Sequence, residues 1–173
     1  DPSPAVDSPP VPSPGGAAPP AVVAVVVTRD PGPWFEEALR SLAEQSYDSL
    51  SILVVDAGST DDPTPRVASV VPEARVKRLE GDPGYGAATD EVLGAVEGAA
   101  FFLLCHDDVA LAPNAVRILV EEAFRTNGGV LGPKLVDWHD PRRIRSVGGL
   151  VDKAGVPAPA AEPGELDQEQ HDA

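Results

Sequence analysis

Short apolar runs alternate with amphipathic stretches through the middle of the chain. Residues 21–28 (AVVAVVVT) are mostly β-branched and unbroken, the pattern of a strand buried on both faces. After the turn Asp30-Pro31-Gly32-Pro33, the side chains of Trp34, Phe35, Ala38, Leu39, Leu42 and Ala43 share one helical face, with Glu36, Glu37, Arg40 and Glu44 on the other. Residues 50–56 (LSILVVD) predict a second strand, and residues 61–71 a helix whose start is delayed by Pro63 and Pro65. A shorter third strand is expected over 75–79. Residues 86–97 predict a helix with Ala88, Val92, Ala95 and Val96 inward, and residues 100–105 (AFFLLC) a fourth buried strand. Pro113 suits the first turn of the next helix, whose apolar stripe is Ala115, Val116, Leu119, Val120, Ala123 and Phe124. Asn127-Gly128 supplies its left-handed stop. A fifth strand is expected over 130–136. This alternation predicts an α/β fold: a mostly parallel sheet of about five strands, helices on both faces and right-handed crossovers.

The flanks read differently. Residues 1–20 hold eight prolines and no aromatic residue, so they bury too little to offset their ordering entropy and are expected to form a disordered Pro/Ala-rich arm. Residues 151–173 carry a net charge of −5 and the helix breakers Pro157, Pro159 and Pro163, and are expected to be an acidic flexible tail. The folded domain is therefore expected over 21–150. Across all 173 residues, 28 Asp and Glu outweigh 13 Lys and Arg. That surplus repels nucleic acid phosphates and anionic lipid surfaces, which speaks against both as partners. One cysteine excludes an internal disulfide framework and a cysteine-rich zinc site. No run approaches the roughly 20 apolar residues of a membrane span, and the first residues lack the basic start and apolar run of a signal peptide. A soluble, cytoplasmic chain is expected. Trp34 and Phe35 are expected in the core, Cys105 as a buried small hydrophobe, and Arg142, Arg143 and Arg145 in a turn paired with Asp137 and Asp140.

In open parallel sheets, ligands gather beyond the carboxyl ends of the strands. Three segments sit there: Thr28-Arg29-Asp30, Asp56-Ala57-Gly58-Ser59-Thr60 and His106-Asp107-Asp108. Two adjacent aspartates are costly without positive charge nearby. Mg2+ or Mn2+ holding a diphosphate meets that need with one or two carboxylates; a polar strand exit capping the next helix is the plainer alternative. Asp56 likewise reads either as an Asx turn opening a helix or as an acceptor for a base or ribose.

Residues 54–62 (VVDAGSTDD) resemble the VVDDGSTDD motif of family 2 glycosyltransferases, which have the GT-A fold. The resemblance continues in family order over residues 22–155. Residues 25–30 resemble the first-strand motif, 42–46 (LAEQS) a helix end, and 81–88 (GDPGYGAA) the glycine-rich loop. Residues 101–111 resemble the strand carrying a DxD-type motif. Residues 132–135 (GPKL) and 146–149 (SVGG) resemble a stretch common in rhamnosyl- and galactofuranosyl-transferase-like members.

This resemblance implies metal-assisted transfer of a sugar from a nucleotide-diphosphate donor to a hydroxyl of a glycan or glycolipid acceptor in cell-envelope polysaccharide synthesis. It implies that Asp56 contacts the nucleoside, with Thr28 and Asp30 in the same pocket and Asp82 shaping the neighbouring loop. Asp107 then lies nearer the ribose, and Asp108 binds Mg2+ or Mn2+. Three departures stand out: Ala57 replaces the second Asp of the motif, Asp82 and Asp90 stand where Asn is usual, and His106 fills a variable slot as a spacer. In the family the acceptor-binding half and the carboxylate base come later in the sequence. The chain is thus expected to be the donor-binding half of a GT-A domain, inactive by itself, with no catalytic residue of its own. Any membrane contact, at the inner face of the cell membrane, is expected through other parts of a longer protein. Two rival readings remain: a binding or scaffold domain that kept the fold without the chemistry, and a phospho-receiver with Asp56 as acceptor and Lys134 after a later strand. A receiver wants acidic residues after its first strand, where only Asp30 is offered.

Overall fold

A computed structural model describes residues 18–151, 156–162 and 164–171. Its elements run β1 (Val22–Thr28), α1 (Phe35–Ala43), β2 (Leu50–Asp56), α2 (Thr64–Val70), β3 (Arg75–Arg78), α3 (Tyr85–Leu93), β4 (Phe101–His106) and α4 (Ala115–Thr126). The four strands are parallel, in the order β3-β2-β1-β4. The chain lays strands outward from β1 to β3 and then returns to place β4 on the other flank of β1. That reversal lies between β1 and β4, where an open α/β sheet forms a crevice at the carboxyl ends of its strands.

Strand side chains alternate between faces, and the two faces collect different helices. Ala24, Val26, Val54 and Cys105 pack with Phe35, Leu39 and Leu42 of α1 and with Val67 of α2. Val22 joins Val116 and Val120 of α4 on that same side. The opposite face sets Val25, Val27 and Val55 against Ala88 and Val92 of α3. Because β1 is central and covered twice, Ala24, Val25 and Val26 are wholly buried, and an unbroken apolar run is what such a strand requires. Glu36 and Glu37 at the start of α1 and Arg40 in its last turn complement the helix dipole. Asn127, at φ 53°, ends α4 in the left-handed conformation.

Several expectations change. β4 is an edge strand rather than one buried on both faces: Cys105 is buried, while Leu104 is 46% exposed. Phe124 continues the apolar stripe of α4 but is 67% exposed, meeting the Phe101 ring edge-to-face with centroids 5.8 Å apart. α3 stops at Leu93, where Gly94 follows, and Ala95 is exposed. Residues 130–136 add no strand to the parallel sheet. Gly132 and Pro133, which has no N–H to donate, leave only a two-residue β5 (Leu135–Val136), antiparallel to β6 (Ile144–Ser146). Trp34 is not in the core: it stands at the start of α1, 36% exposed.

The acidic segment after 150 folds back where it is described. β7 (Gly149–Val151) pairs antiparallel with β8 (Pro157–Pro159). The Ile144 N–H donates to the Glu165 carbonyl (2.8 Å), the Asp167 N–H donates to the Arg142 carbonyl (2.7 Å), and the Asp167 carboxylate pairs with Lys134 at 2.7 Å. The expected N-terminal arm falls outside the described residues up to 17. Among the described residues, no helix is long and apolar enough to cross a membrane.

Candidate functional site

Register brings the three strand-end segments level. Thr28 lies opposite Asp56, and Val27 opposite His106, so Asp56, Thr28 and Asp107 follow one another across three adjacent strands. At about 4.8 Å per strand they span roughly 10 Å of one rim. The Thr28 hydroxyl, buried at the crevice, donates to Asp107 Oδ2 at 2.5 Å.

Asp30 joins the first two loops. It takes a positive φ of 47°, which Asp tolerates better than most side chains. Its N–H donates to Ser59 Oγ (2.8 Å), and its carboxylate accepts the Thr60 N–H (2.7 Å). Asp56 is wholly buried and satisfied from within: Oδ1 accepts the Ser59 N–H at 2.9 Å, and Oδ2 accepts Arg78 Nε at 2.7 Å. Burial pushes this carboxyl up, but the Ser59 hydrogen bonds and the Arg78 guanidinium outweigh it and hold the group below the ordinary carboxylate range. Both meanings weighed for Asp56 must therefore be refined. It forms the Asx turn, and the group it offers outward is the Arg78 guanidinium, which also holds the Ser59 carbonyl at 3.1 Å.

Gly58 explains how close the third loop comes. At φ 83°, a Cβ there would lie 2.3 Å from the Gly81 carbonyl oxygen, so only glycine allows the two backbones to meet. Asp82 follows directly, ion-paired with Arg29 and accepting the Gly84 N–H at 3.0 Å. Arg66 ties down the outer side of the loop after β1. Its guanidinium grips both Glu36 carboxylate oxygens (2.6 and 2.8 Å) and the carbonyls of Pro31 (2.7 Å) and Gly32 (2.8 Å). Asp30, Pro31, Asp61, Asp62, Pro63 and Arg66 enclose a rim cavity of about 210 Å³. A larger cavity, about 680 Å³, lies by the amino ends of the strands near Ala21, Ser51 and Gly98, away from these groups. On the α3 side the His106 imidazole stacks on the Tyr85 ring, with centroids 4.3 Å apart.

Asp108 is exposed, and among the described residues it has no hydrogen-bond or ion-pair partner. No group of three His, Cys, Asp or Glu residues suited to a metal occurs among those described. Two adjacent carboxylates, one half-occupied by Thr28, suit a hard cation that completes its shell with phosphate and water. They do not suit a closed four-ligand zinc site. Ala57 is 3% exposed and packed with Val25, Val55 and Ala88, so the position of the second motif Asp belongs here to the core. Arg142 and Arg143 pair with Asp140 at 2.9 and 3.4 Å, and Arg145 with Asp137 at 2.9 Å, as expected of a solvated turn. Cys105 is buried, and burial pushes its thiol up to about 12.

The sequence reading missed Arg78, Arg66 and the ring stack, and placed Arg29 on the rim without giving it a partner. For Arg78 a signal existed, since a charged residue ending a short strand needs a partner at the same level. Its identity waits on knowing which strand lies alongside.

Strand order, switch-point crevice and acidic rim together define a Rossmann-like α/β domain built to receive a ligand at the carboxyl ends of its strands. The sequence model of Glycosyl transferase family 2 matches residues 23–147, and the chain belongs to that family. It is 31% identical over 124 residues to the N-acetylglucosaminyl-diphospho-decaprenol L-rhamnosyltransferase of Mycobacterium tuberculosis, a match covering 65% of this chain and 40% of that protein. Among solved structures, S. aureus TarS in complex with UDP-GlcNAc has a TM-score of 0.55 at 22% identity, over 68% of this chain and 37% of that one. The mannosyltransferase PcManGT of Pyrobaculum calidifontis, in complex with GDP-Man and Mn2+, has a TM-score of 0.52 at 25% identity, over 70% and 37%. These likenesses agree with the GT-A fold. The chain spans about 40% of the length of the curated relative it matches.

Proposed function

We propose that this chain is the donor-binding part of a glycosyltransferase that moves a sugar from a nucleotide diphosphate to a glycan or glycolipid hydroxyl. The observation that carries the reading is the level placement of Asp56, Thr28 and Asp107 on one rim at the sheet's switch point, with the Thr28–Asp107 hydrogen bond closing it. The family membership supports it, as do relatives whose names record a rhamnosyl acceptor on a lipid diphosphate and complexes with UDP-GlcNAc and GDP-Man.

In this reading Asp108, with Asp107, holds Mg2+ or Mn2+ and the donor diphosphate, and Thr28 fixes the Asp107 carboxylate. When bound, the cation offsets charge on the departing diphosphate, so the leaving group needs no proton. Asp30 and Asp56 wall the nucleoside pocket, Asp56 acting through Ser59 and Arg78. Asp82 holds Arg29 and the glycine-rich loop beside the nucleotide. The acceptor's base comes from outside this chain, which binds donor without turning it over.

Calorimetry with UDP and GDP, with and without Mg2+ or Mn2+, tests this. Binding requires the cation, and Asp108→Ala weakens it at least about tenfold while melting is unchanged, since Asp108 is exposed and among the described residues makes no hydrogen bond or ion pair. Equal affinity in EDTA overturns the metal assignment. No affinity for either nucleotide in a folded chain returns the scaffold reading.

A further inference from the structure

We propose that Arg29 binds the donor diphosphate, whose oxygens exchange for the Asp82 carboxylate on its guanidinium; this rests on the glycosyl-transfer reading. Arg29 directly follows Thr28, whose hydroxyl donates to Asp107, and so stands at the carboxyl end of β1. In that reading the donor runs from Asp30 and Asp56 to Asp108. β1 lies between β2 and β4, so the phosphates pass over its end.

Among the described residues, three guanidinium groups stand at this rim, and they are held with very different firmness. Arg66 makes four hydrogen bonds, to both Glu36 carboxylate oxygens and to the carbonyls of Pro31 and Gly32. Arg78 is committed to the wholly buried Asp56 carboxylate and to the Ser59 carbonyl. Arg29 has Asp82 as its one partner among the described residues, and the two side chains are 52% and 44% exposed. An ion pair so open to water contributes little, because solvent screens both charges and two long side chains must be ordered to make it. A diphosphate is the stronger partner: it carries more charge than a carboxylate and matches the guanidinium fork with two parallel hydrogen bonds. Of the three groups, Arg29 therefore changes partner at the least cost.

Asp82 can release Arg29 without undoing its own loop. Its Oδ1 accepts the Gly84 N–H at 3.0 Å and closes the turn, while Oδ2 meets Arg29. The Gly81 backbone rests against Gly58, but residues 81–84 are all exposed, and a side chain at Gly81 or Gly84 would meet nothing within 4 Å. The loop thus has room to shift while its turn persists.

Calorimetry with UDP and GDP in Mg2+, run over a two-residue cycle, tests the exchange. Arg29→Ala is expected to weaken nucleotide binding about tenfold. Asp82→Asn keeps an oxygen for the Gly84 N–H and discards the charge that competes for Arg29, so it is expected to tighten binding about threefold. In the Arg29→Ala background Asp82→Asn is expected to change nothing further, since the guanidinium it competes for is gone. Thermal melts of all three variants are expected within about 2 °C of the unaltered protein, both side chains being exposed. Affinity that Arg29→Ala leaves unchanged overturns this inference alone. So does a tightening by Asp82→Asn that persists without Arg29, because that is general repulsion and no exchange. A loss on Arg29→Ala as large for uridine or guanosine as for the diphosphates places the guanidinium on the nucleoside and overturns it too. Failure of UDP and GDP alike to bind the unaltered protein overturns the glycosyl-transfer reading, and this inference falls with it.

Discussion

Replacing Arg78 by alanine removes from the Asp56 carboxylate the one cationic partner it has among the described residues. Asp56 has no exposed surface and keeps only the Ser59 interactions. Breaking a fully buried ion pair costs about 3–5 kcal/mol, and a hydrogen bond to a charged group contributes about 1.5–3 kcal/mol. The Arg78 side chain is 44% exposed, so water takes over part of its role, and the lower end applies. The expected loss is about 2 kcal/mol, or about 8 °C in melting temperature for a folded unit of this size. The pH dependence distinguishes charge from packing. In the unaltered protein the Asp56 carboxyl lies below its ordinary value, so it adds stability above the unfolded value of about 3.9 and loses it as pH falls through the folded value. Without the guanidinium, the lowering that Arg78 supplies is lost and the folded value rises, so the carboxylate adds less stability at neutral pH. The gap between the two proteins is therefore widest near about pH 7 and closes only as pH falls through the folded value of the unaltered protein, below the ordinary carboxylate range, where Asp56 becomes protonated in both. Urea unfolding followed by circular dichroism across this range measures it. A gap under about 0.5 kcal/mol, or one constant with pH, refutes the charge argument.

Three further outcomes are expected. Gly58→Ala costs about 3 kcal/mol or more in urea unfolding, because its Cβ meets the Gly81 carbonyl oxygen and neither backbone can yield; a near-neutral result means the two loops do not touch. Ala57→Asp, which restores the motif residue, destabilises by about 3 kcal/mol at neutral pH and less in acid, since its carboxylate enters the α3-side core; melting at the two pH values checks it. Cys105, its thiol pushed up to about 12 and buried, is alkylated by iodoacetamide more than about a thousandfold slower in the native protein than in urea, as mass spectrometry of quenched samples will show.

Much of the fold was legible along the chain. β1 and β2 came within a residue of their predicted limits because the buried length of a strand covered on both faces, all of β1 and the second half of β2, reads as a β-branched apolar run. The candidate rim was legible too, since parallel strands all end on one side whatever their order, so residues directly following apolar runs share an edge. Where helices lacked a clear partner the pattern failed: Trp34 and Phe124 fit the periodic stripe but lie past what their helices have to pack against.

Local spacing by itself determined the α/β class, the strands and the acidic character of the rim, because each depends on periodicities within about a dozen residues. Tertiary structure alone decided the order β3-β2-β1-β4, and with it every pairing that shapes the site. It set Arg78 beside Asp56 and Thr28 against Asp107, turned Ala57 into the core, and joined Arg29 to Asp82. The physical reason is that these neighbours are made by strands and loops meeting across long stretches of chain. Which strands meet is settled by the joint burial of two sheet faces under four helices, a condition on the whole domain that no single segment carries.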